Sequence, residues 1–375
     1  MKTHGIDEPV IVVAHHDGRM LELAAQVARE LTTRGTASTG IDRHWLRGPH
    51  LRIWTTSHEL DQAQEAGSAA AVAHRSNATI DEEAYLRLSH ELGTVELVVG
   101  PYGPLREDNS VTRDDEAFAA TARLIGRDTV ALKRGVLSRF VPALALSRTL
   151  GEIPSALRLL GPMTMLAGRW QIGGVRSGYL TFRSHLEDHL NVHDPRGQLR
   201  ERFEQAADRS EVARRYVAGL VDEITLDEEG LRRGDYHGED SILRAWSRAF
   251  AEALDLATDA YDAGLITEDL GSGYVNVAAA DFTSQTARWT FDEHRSYSPF
   301  HHKLRTLNTL PKRVHTREFA AYRFVVNQFI RVAPLLDVSP TERYFSSLVF
   351  SKAVEEYFDT PWAALLDRAR LEEPA

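Results

Sequence analysis

The chain has 375 residues, 44 of them basic and 54 acidic, for a formal charge of −10, and it has no cysteine. The missing thiols exclude disulfides, thiolate zinc sites, iron–sulfur clusters and a cysteine nucleophile. The acidic balance argues against general nucleic-acid binding, and 43% apolar with 26% charged residues is ordinary for a soluble globular chain.

The longest early apolar run, VIVVA at 10–14, is too short for a signal-peptide core or a membrane span, so a cytoplasmic protein without a membrane partner is expected. PVIVVA (9–14) reads as a buried strand. Met20, Leu21, Ala24, Ala28 and Leu31 then recur at helical spacing, with Gly35 as a stop. A second strand covers 50–56, with Leu51 and Ile53 on one face and His50, Arg52 and Trp54 on the other. A helix follows at 84–92 and a third strand at 94–100, ended by PYGPLREDN.

From 114 onward helix dominates, with Asp114 or Asp115 as a cap and further helices across 130–149 and 152–167. GYLTFR (178–183) reads as a strand, followed by an S-x-x-E capping box of Ser184 and Glu187 that would open a helix at His185. Asp194-Pro195 marks another helix start, and 227–240 reads as a loop. Strong amphipathic helices span 243–261 and 316–336. Ser339-Pro340-Thr341-Glu342 is a second capping box, and Thr360-Pro361 opens the last helix. The fold class is α+β: an N-terminal β-α-β layer followed by a helix-rich part. The expected organisation is one composite domain over 1–375, with a seam near 103–115 between an α/β half (1–110) and a helix-rich half (115–375).

Candidate chemistry is sparse. His185, His189 and His193 are four apart, but HLEDH is neither of the zinc-peptidase patterns, and the Asp194-Pro195 break sets His193 off the face of the other two. No metal is expected. GSGYVN (271–276) is too short for a dinucleotide fingerprint, there is no nucleophile elbow, and no Ser–His pairing is singled out. Charge is more informative. Residues 301–331 carry Lys303, Arg305, Lys312, Arg313, Arg317, Arg323 and Arg331 against the single acid Glu318, a local +6 inside a protein of −10. Such a segment attracts an anion or an acidic peptide. Arg323, Asn327 and Arg331 form one stripe of the 316–336 helix, opposite Phe319, Tyr322, Val326, Phe329 and Ile330. A second basic group, Arg196 to Arg215, is interleaved with acids. On the 50–54 strand, His50 and Arg52 beside Trp54 can start a polar pocket, the Arg binding a carbonyl or anion and the His moving a proton.

GPHLRIW (48–54) resembles the G-x-H-[IL]-R-[IL]-R signature of the C-terminal elimination domain of lantibiotic dehydratases, which also occurs as stand-alone proteins in thiopeptide biosynthesis. VIVVAHHD and GRMLELAAQVARELTTRG follow the order at the start of that domain. GYLTFRSHLEDHL and YRFVVNQFIRVAPLLDVSPTERYFSSLVFSKAVEE resemble segments of its thiopeptide branch. The departures are specific. Trp54 replaces the second Arg of the strand motif. YGPLREDN (102–109) has Leu105 and Asp108 where the eliminating enzymes have Glu and Arg. If Asn327 matches the family's Asn, Arg323 falls where those enzymes have an acid/base His and Gln328 where they have an Arg; His301 or His302 of SPFHHKL is the alternative source of the His. The resemblance thus implies the pyridine-synthase class, which joins two dehydroalanines of one peptide in a formal 4+2 cycloaddition and then expels water and the leader peptide. It implies no cofactor, no metal and a ribosomal precursor peptide with its leader as partner, alongside other biosynthetic enzymes. His50, Arg52, Arg183 and His185 are the candidate catalytic residues. Trp54, Arg323, Asn327 and Arg331 are the candidate substrate or leader contacts. The alternatives are an elimination subunit of a split tRNA-dependent dehydratase and a non-catalytic precursor-binding partner.

Overall fold

The computed structural model describes residues 8–96, 98, 100–226, 228–266, 297–305 and 317–371. The described chain forms two compact units, residues 8–151 with Gln328–Asp337, and residues 152–266, 297–305, 317–327 and 338–371.

The first unit is built on a four-stranded antiparallel sheet. Its elements are β1 (Val10–Ala14), α1 (Leu21–Thr33), β2 (Gly40–His44), β3 (His50–Trp54), α2 (Leu60–Ala73), α3 (Glu82–Glu96), β4 (Val111–Arg113), α4 (Asp115–Ile125) and α5 (Arg127–Leu146). The spatial order β2-β3-β1-β4, all neighbours antiparallel, is the split β-α-β arrangement with α3 added before β4. β1 is apolar throughout because it is central and buried on both faces. All five β3 residues are buried too, so the His50–Arg52–Trp54 face lies inside the protein rather than on a solvent surface.

Register decides what joins that face. Gly40 opposes Trp54, Asp42 opposes Arg52 and His44 opposes His50, and directly opposed residues share a face. On the other face α2 comes close through Gly67, where a Cβ would lie 3.0 Å from Val13 and 3.2 Å from Ile53. Gly40 performs the same service for α5. A Cβ there would stand 2.6 Å from Leu137 Cβ and 2.9 Å from the Arg134 carbonyl oxygen. Gly40→Ala is therefore expected to push α5 off β2 and lower stability by about 1–3 kcal/mol, read as a lower urea midpoint; an unchanged midpoint would show that α5 has room to move. At the N-terminus of α1, Asp337 Oδ1 accepts the Met20 and Leu21 N–H groups.

The second unit is helical among its described residues: α6 (Leu160–Gly168), α7 (Val175–Gly178), α8 (Leu180–His193), α9 (Gln198–Asp208), α10 (Glu211–Leu226), α11 (Glu228–Arg233), α12 (Ser241–Asp262), α13 (Pro299–Arg305), α14 (Arg317–Val332), α15 (Pro340–Tyr357) and α16 (Trp362–Leu371). The last five residues of α14 belong to the first unit. α15 packs against α8, α9 and α10, with Phe182 and Phe350 meeting edge to face. Phe300 of α13 and Leu366 of α16 share a small core with Leu180 and Trp362. No helix among the described residues is long and apolar enough to cross a membrane.

The Asp114 cap and the Ser339–Glu342 capping box form as expected, and the strand expected over 50–56 forms over His50–Trp54. Four expectations are corrected. The segment 178–183 is helical, not a strand, because Tyr179, Phe182, Leu186 and Leu190 are buried at helical spacing and packing overrides local β-propensity. Ser184 and Glu187 are consequently mid-helix and cap nothing. Residues 94–96 continue α3; the strand expected there is supplied by β4, while 97 and 99 lie outside the described residues. After Asp194-Pro195 the helix waits until Gln198, entered through Gly197 in a left-handed turn (φ +71°), with the Asp194 carboxylate accepting the Arg200 N–H. α11 forms inside the expected 227–240 loop.

Candidate functional site

In the first unit, β2, β3 and α5 bring three charges to one buried point. Asp42 accepts hydrogen bonds from Arg52 Nε (2.8 Å) and Nη2 (2.9 Å), Trp54 Nε1 (2.9 Å) and Lys133 Nζ (2.8 Å). Lys133 also sits over the Trp54 ring at 4.1 Å and Arg52 at 4.8 Å, both cation–π contacts. Burial alone would raise the Asp42 pKa, but the two cations hold it well below the usual carboxylate range. One carboxylate cannot neutralise two cations. Burial therefore dominates at Lys133 and, with the charges of Arg52 and Arg331, outweighs Asp42 to bring it down to about 7.

Two imidazoles complete this face. His50 Nδ1 lies 2.8 Å from the Gly48 carbonyl, which can only accept, so Nδ1 carries the proton and Nε2 is the acceptor. Burial lowers His50 to about 3. His44 has the opposite tautomer, because Nδ1 accepts the Leu46 N–H at 3.1 Å; burial holds its pKa well below the usual value.

The second unit gathers histidines and arginines on α8, α13, α14 and α15. Ser184 Oγ lies 2.9 Å from His301 Nε2, and Ser298 Oγ lies 2.8 Å from His301 Nδ1. Next to Ser184, half-buried His185 is lowered to about 4 by burial and by the charges of Arg343 and Arg323. Arg323 is itself lowered by burial, with no carboxylate to offset it. Among the described residues its guanidinium makes no ion pair or hydrogen bond and only faces the Phe319 ring at 5.6 Å. Arg343 likewise makes no ion pair there and sits over Tyr344 at 4.5 Å. Tyr344 in turn stacks on His189, 3.8 Å between centroids.

The residues singled out from sequence divide between these two places. His50, Arg52 and Trp54 do converge; Trp54 is 1% exposed, with its N–H on Asp42 and its ring beneath Lys133. Arg183 is buried between Glu187, which also holds Arg200, and Glu355; it is a strut of α8, not a group at a strand–helix junction. His185 lies in the fields of Arg343 and Arg323, partly opposed by the Asp188 carboxylate, and stands on a helix rather than at a junction. Asn327 lies half-buried one turn beyond Arg323, and Arg331 is exposed. Lys303 pairs with Asp367 and Arg317 with Asp262. The Arg305 side chain, Lys312, Arg313 and GSGYVN lie outside the described residues. His189 and His193 have centroids 4.8 Å apart, and no group of three His, Asp or Glu among the described residues is arranged to hold a metal. In 102–109, Arg106 pairs with Asp114 and Asp108 accepts the His16 N–H. Asp42 and Lys133 carry no sequence signal, since they meet across 91 residues, and Ser184 carries only a misleading one, the capping box, its partner His301 being 117 residues away.

No protein-family model and no curated protein matches the sequence. Solved structures do match. The structure described as the pyridine synthase TbtD from thiomuracin biosynthesis superposes with a TM-score of 0.64, at 19% identity, over 94% of this chain and 100% of its own. That of TsrL superposes with a TM-score of 0.60, at 18% identity, over 98% of this chain and 99% of its own. The chain has the fold of these two proteins. The likeness runs through both units and agrees with the α+β class read from the sequence.

Proposed function

We propose that this protein is a cofactor-independent, peptide-modifying cyclase of thiopeptide-type biosynthesis. In this reading it joins two dehydroalanines of a modified precursor in a formal 4+2 cycloaddition, then expels water and the leader peptide to leave a pyridine. The observation that carries the proposal is the pair Arg323 and Arg343 around His185. A half-buried guanidinium without a counter-ion is costly to maintain, and it is suited to an oxygen that gains negative charge during reaction. The full-length fold likeness to a structure described as a pyridine synthase supports the same reading.

The chemistry asks little of a protein. Holding diene and dienophile together supplies much of the rate. The imidic-acid form of a backbone amide must be stabilised, which guanidinium donors aimed at its oxygen can do. His185, neutral near pH 7 because its pKa is about 4, can donate a hydrogen bond there without adding charge. His50 and Arg52 stay in the proposal as candidate catalytic groups of the first unit: Asp42 fixes Arg52, and His50 keeps Nε2 as an acceptor. Arg331 and Asn327, on the same helix as Arg323, are proposed to meet the leader.

Mass spectrometry of a dehydroalanine-bearing, azole-containing precursor incubated with the purified protein and no cofactor tests this. Loss of water with release of an intact leader amide is expected. A peptide that binds unchanged would instead make the chain a binding partner. A new dehydroalanine formed from a glutamylated substrate would make it an elimination subunit.

A further inference from the structure

Helical serines and threonines in this protein commonly turn their hydroxyls back on the helix. Thr164 donates to the Leu160 carbonyl, Thr225 to that of Val221 and Ser351 to that of Ser347, each at 2.7 Å. Ser184, in the middle of α8, does not. Its hydroxyl meets His301 Nε2 on α13 instead. On the far side of the ring, Ser298 Oγ caps α13 by accepting the His301 backbone N–H at 3.3 Å and also contacts Nδ1. Ser298 Oγ keeps a second lone pair for Nδ1–H, and a Ser184 O–H donated to Nε2 selects that tautomer; a proton relay through the ring uses this arrangement. Hydroxyl, imidazole and orienting hydroxyl thus stand in line, the order in which a side-chain hydroxyl is activated in acyl-transfer enzymes, and they adjoin the cationic His185 site.

We propose that Ser184, His301 and Ser298 form a proton relay for the elimination steps, an inference that rests on the cyclase reading above. As a ring C–H proton passes to Ser184 Oγ, the serine's own proton passes to His301 Nε2. The C–H electron pair becomes the new π bond, and the C–O bond breaks with its pair on oxygen. The imidazolium, steadied by Ser298 at Nδ1, returns its proton through Ser184 to the departing oxygen. Water leaves and the protein is restored, with no oxidant or reductant consumed. The leader departs in the same way, its amide nitrogen taking the proton.

Two readouts test the relay on the full chain. With the precursor above, His301→Gln and Ser184→Ala are each expected to slow loss of water and leader about 10²–10⁴-fold and to accumulate a cyclised adduct heavier by one water. Ser184→Thr, which keeps the hydroxyl, is expected to recover part of what Ser184→Ala loses, and His302→Ala, an exposed neighbour, to retain the activity. Independently of activity, ¹⁵N spectra at mildly alkaline pH should show His301 as the Nδ1–H tautomer, shifting toward Nε2–H in Ser184→Ala. A wild-type protein that makes no pyridine overturns the function reading. The relay itself is overturned if either variant eliminates at the wild-type rate, or if Ser184→Ala leaves the His301 tautomer unchanged.

Discussion

Replacing Arg323 by methionine is expected to abolish most activity and to stabilise the protein. The two effects come from one fact. The Arg323 guanidinium is pressed against Phe319 and lowered by burial, yet no carboxylate among the described residues answers it. A side chain that helps hold a fold in this way is normally paired, and cutting it away leaves a partner stranded. Here nothing is stranded. Methionine fills a similar volume without desolvating a charge, so the urea midpoint should rise, corresponding to about 1 kcal/mol. If the guanidinium stabilises an oxyanion, its loss should lower kcat/KM about 10²–10³-fold, the usual cost of one such donor. Arg323→Lys keeps the charge but loses the planar fork, and should fall between the two. Precursor turnover by mass spectrometry and urea titration of the same preparations read both quantities. An active Arg323→Met enzyme would remove Arg323 from the site, and a strongly destabilised one would make it structural.

The parts of this molecule that are legible in the sequence are those whose cause is local. VIVVA is apolar on both faces because it is central, and Ser339 with Glu342 satisfy each other's backbone within one turn. The 50–54 strand alternates as expected, although both its faces are covered. β2 escapes notice because GIDRH carries charges that only the fold neutralises: Lys133, which completes the Asp42 cluster, is 91 residues away. The helix over 180–193 hides behind the β-branched and aromatic residues of YLTF, whose burial against α15 is a tertiary fact. The site divides in the same way. Arg323 stands out as a cation repeated along a helical stripe. Ser184 and His301 are 117 residues apart and share no motif, so only the packing of α13 beside α8 brings them together.

The Asp42 cluster yields the second large effect, and two of its members should respond in opposite directions. Asp42→Asn leaves Arg52 and Lys133 buried against each other with no anion between them, and should cost about 3–5 kcal/mol, enough to unfold the first unit under mild conditions. Lys133→Met leaves one carboxylate facing one guanidinium and a methionine over Trp54, and should be neutral or stabilising. The asymmetry follows from the charge count, one anion to two cations, which burial turns into the lowered pKa of Lys133. The pH dependence has a definite sign. An unfolded lysine titrates near 10.5 and the folded Lys133 near 7. Between those values the unfolded chain holds a proton that the folded chain has released, so the Lys133 contribution to stability rises with pH across that window, by up to about 1.4 kcal/mol per unit, and is lost as pH falls through 7. Other groups titrate too, so the informative quantity is the difference between wild type and Lys133→Met in urea titrations from about pH 6 to 10. The two curves should run parallel below pH 7 and diverge above it, the wild type gaining. Curves parallel throughout would mean that Lys133 stays charged in the fold, and that the second cation is neutralised by something other than loss of its proton.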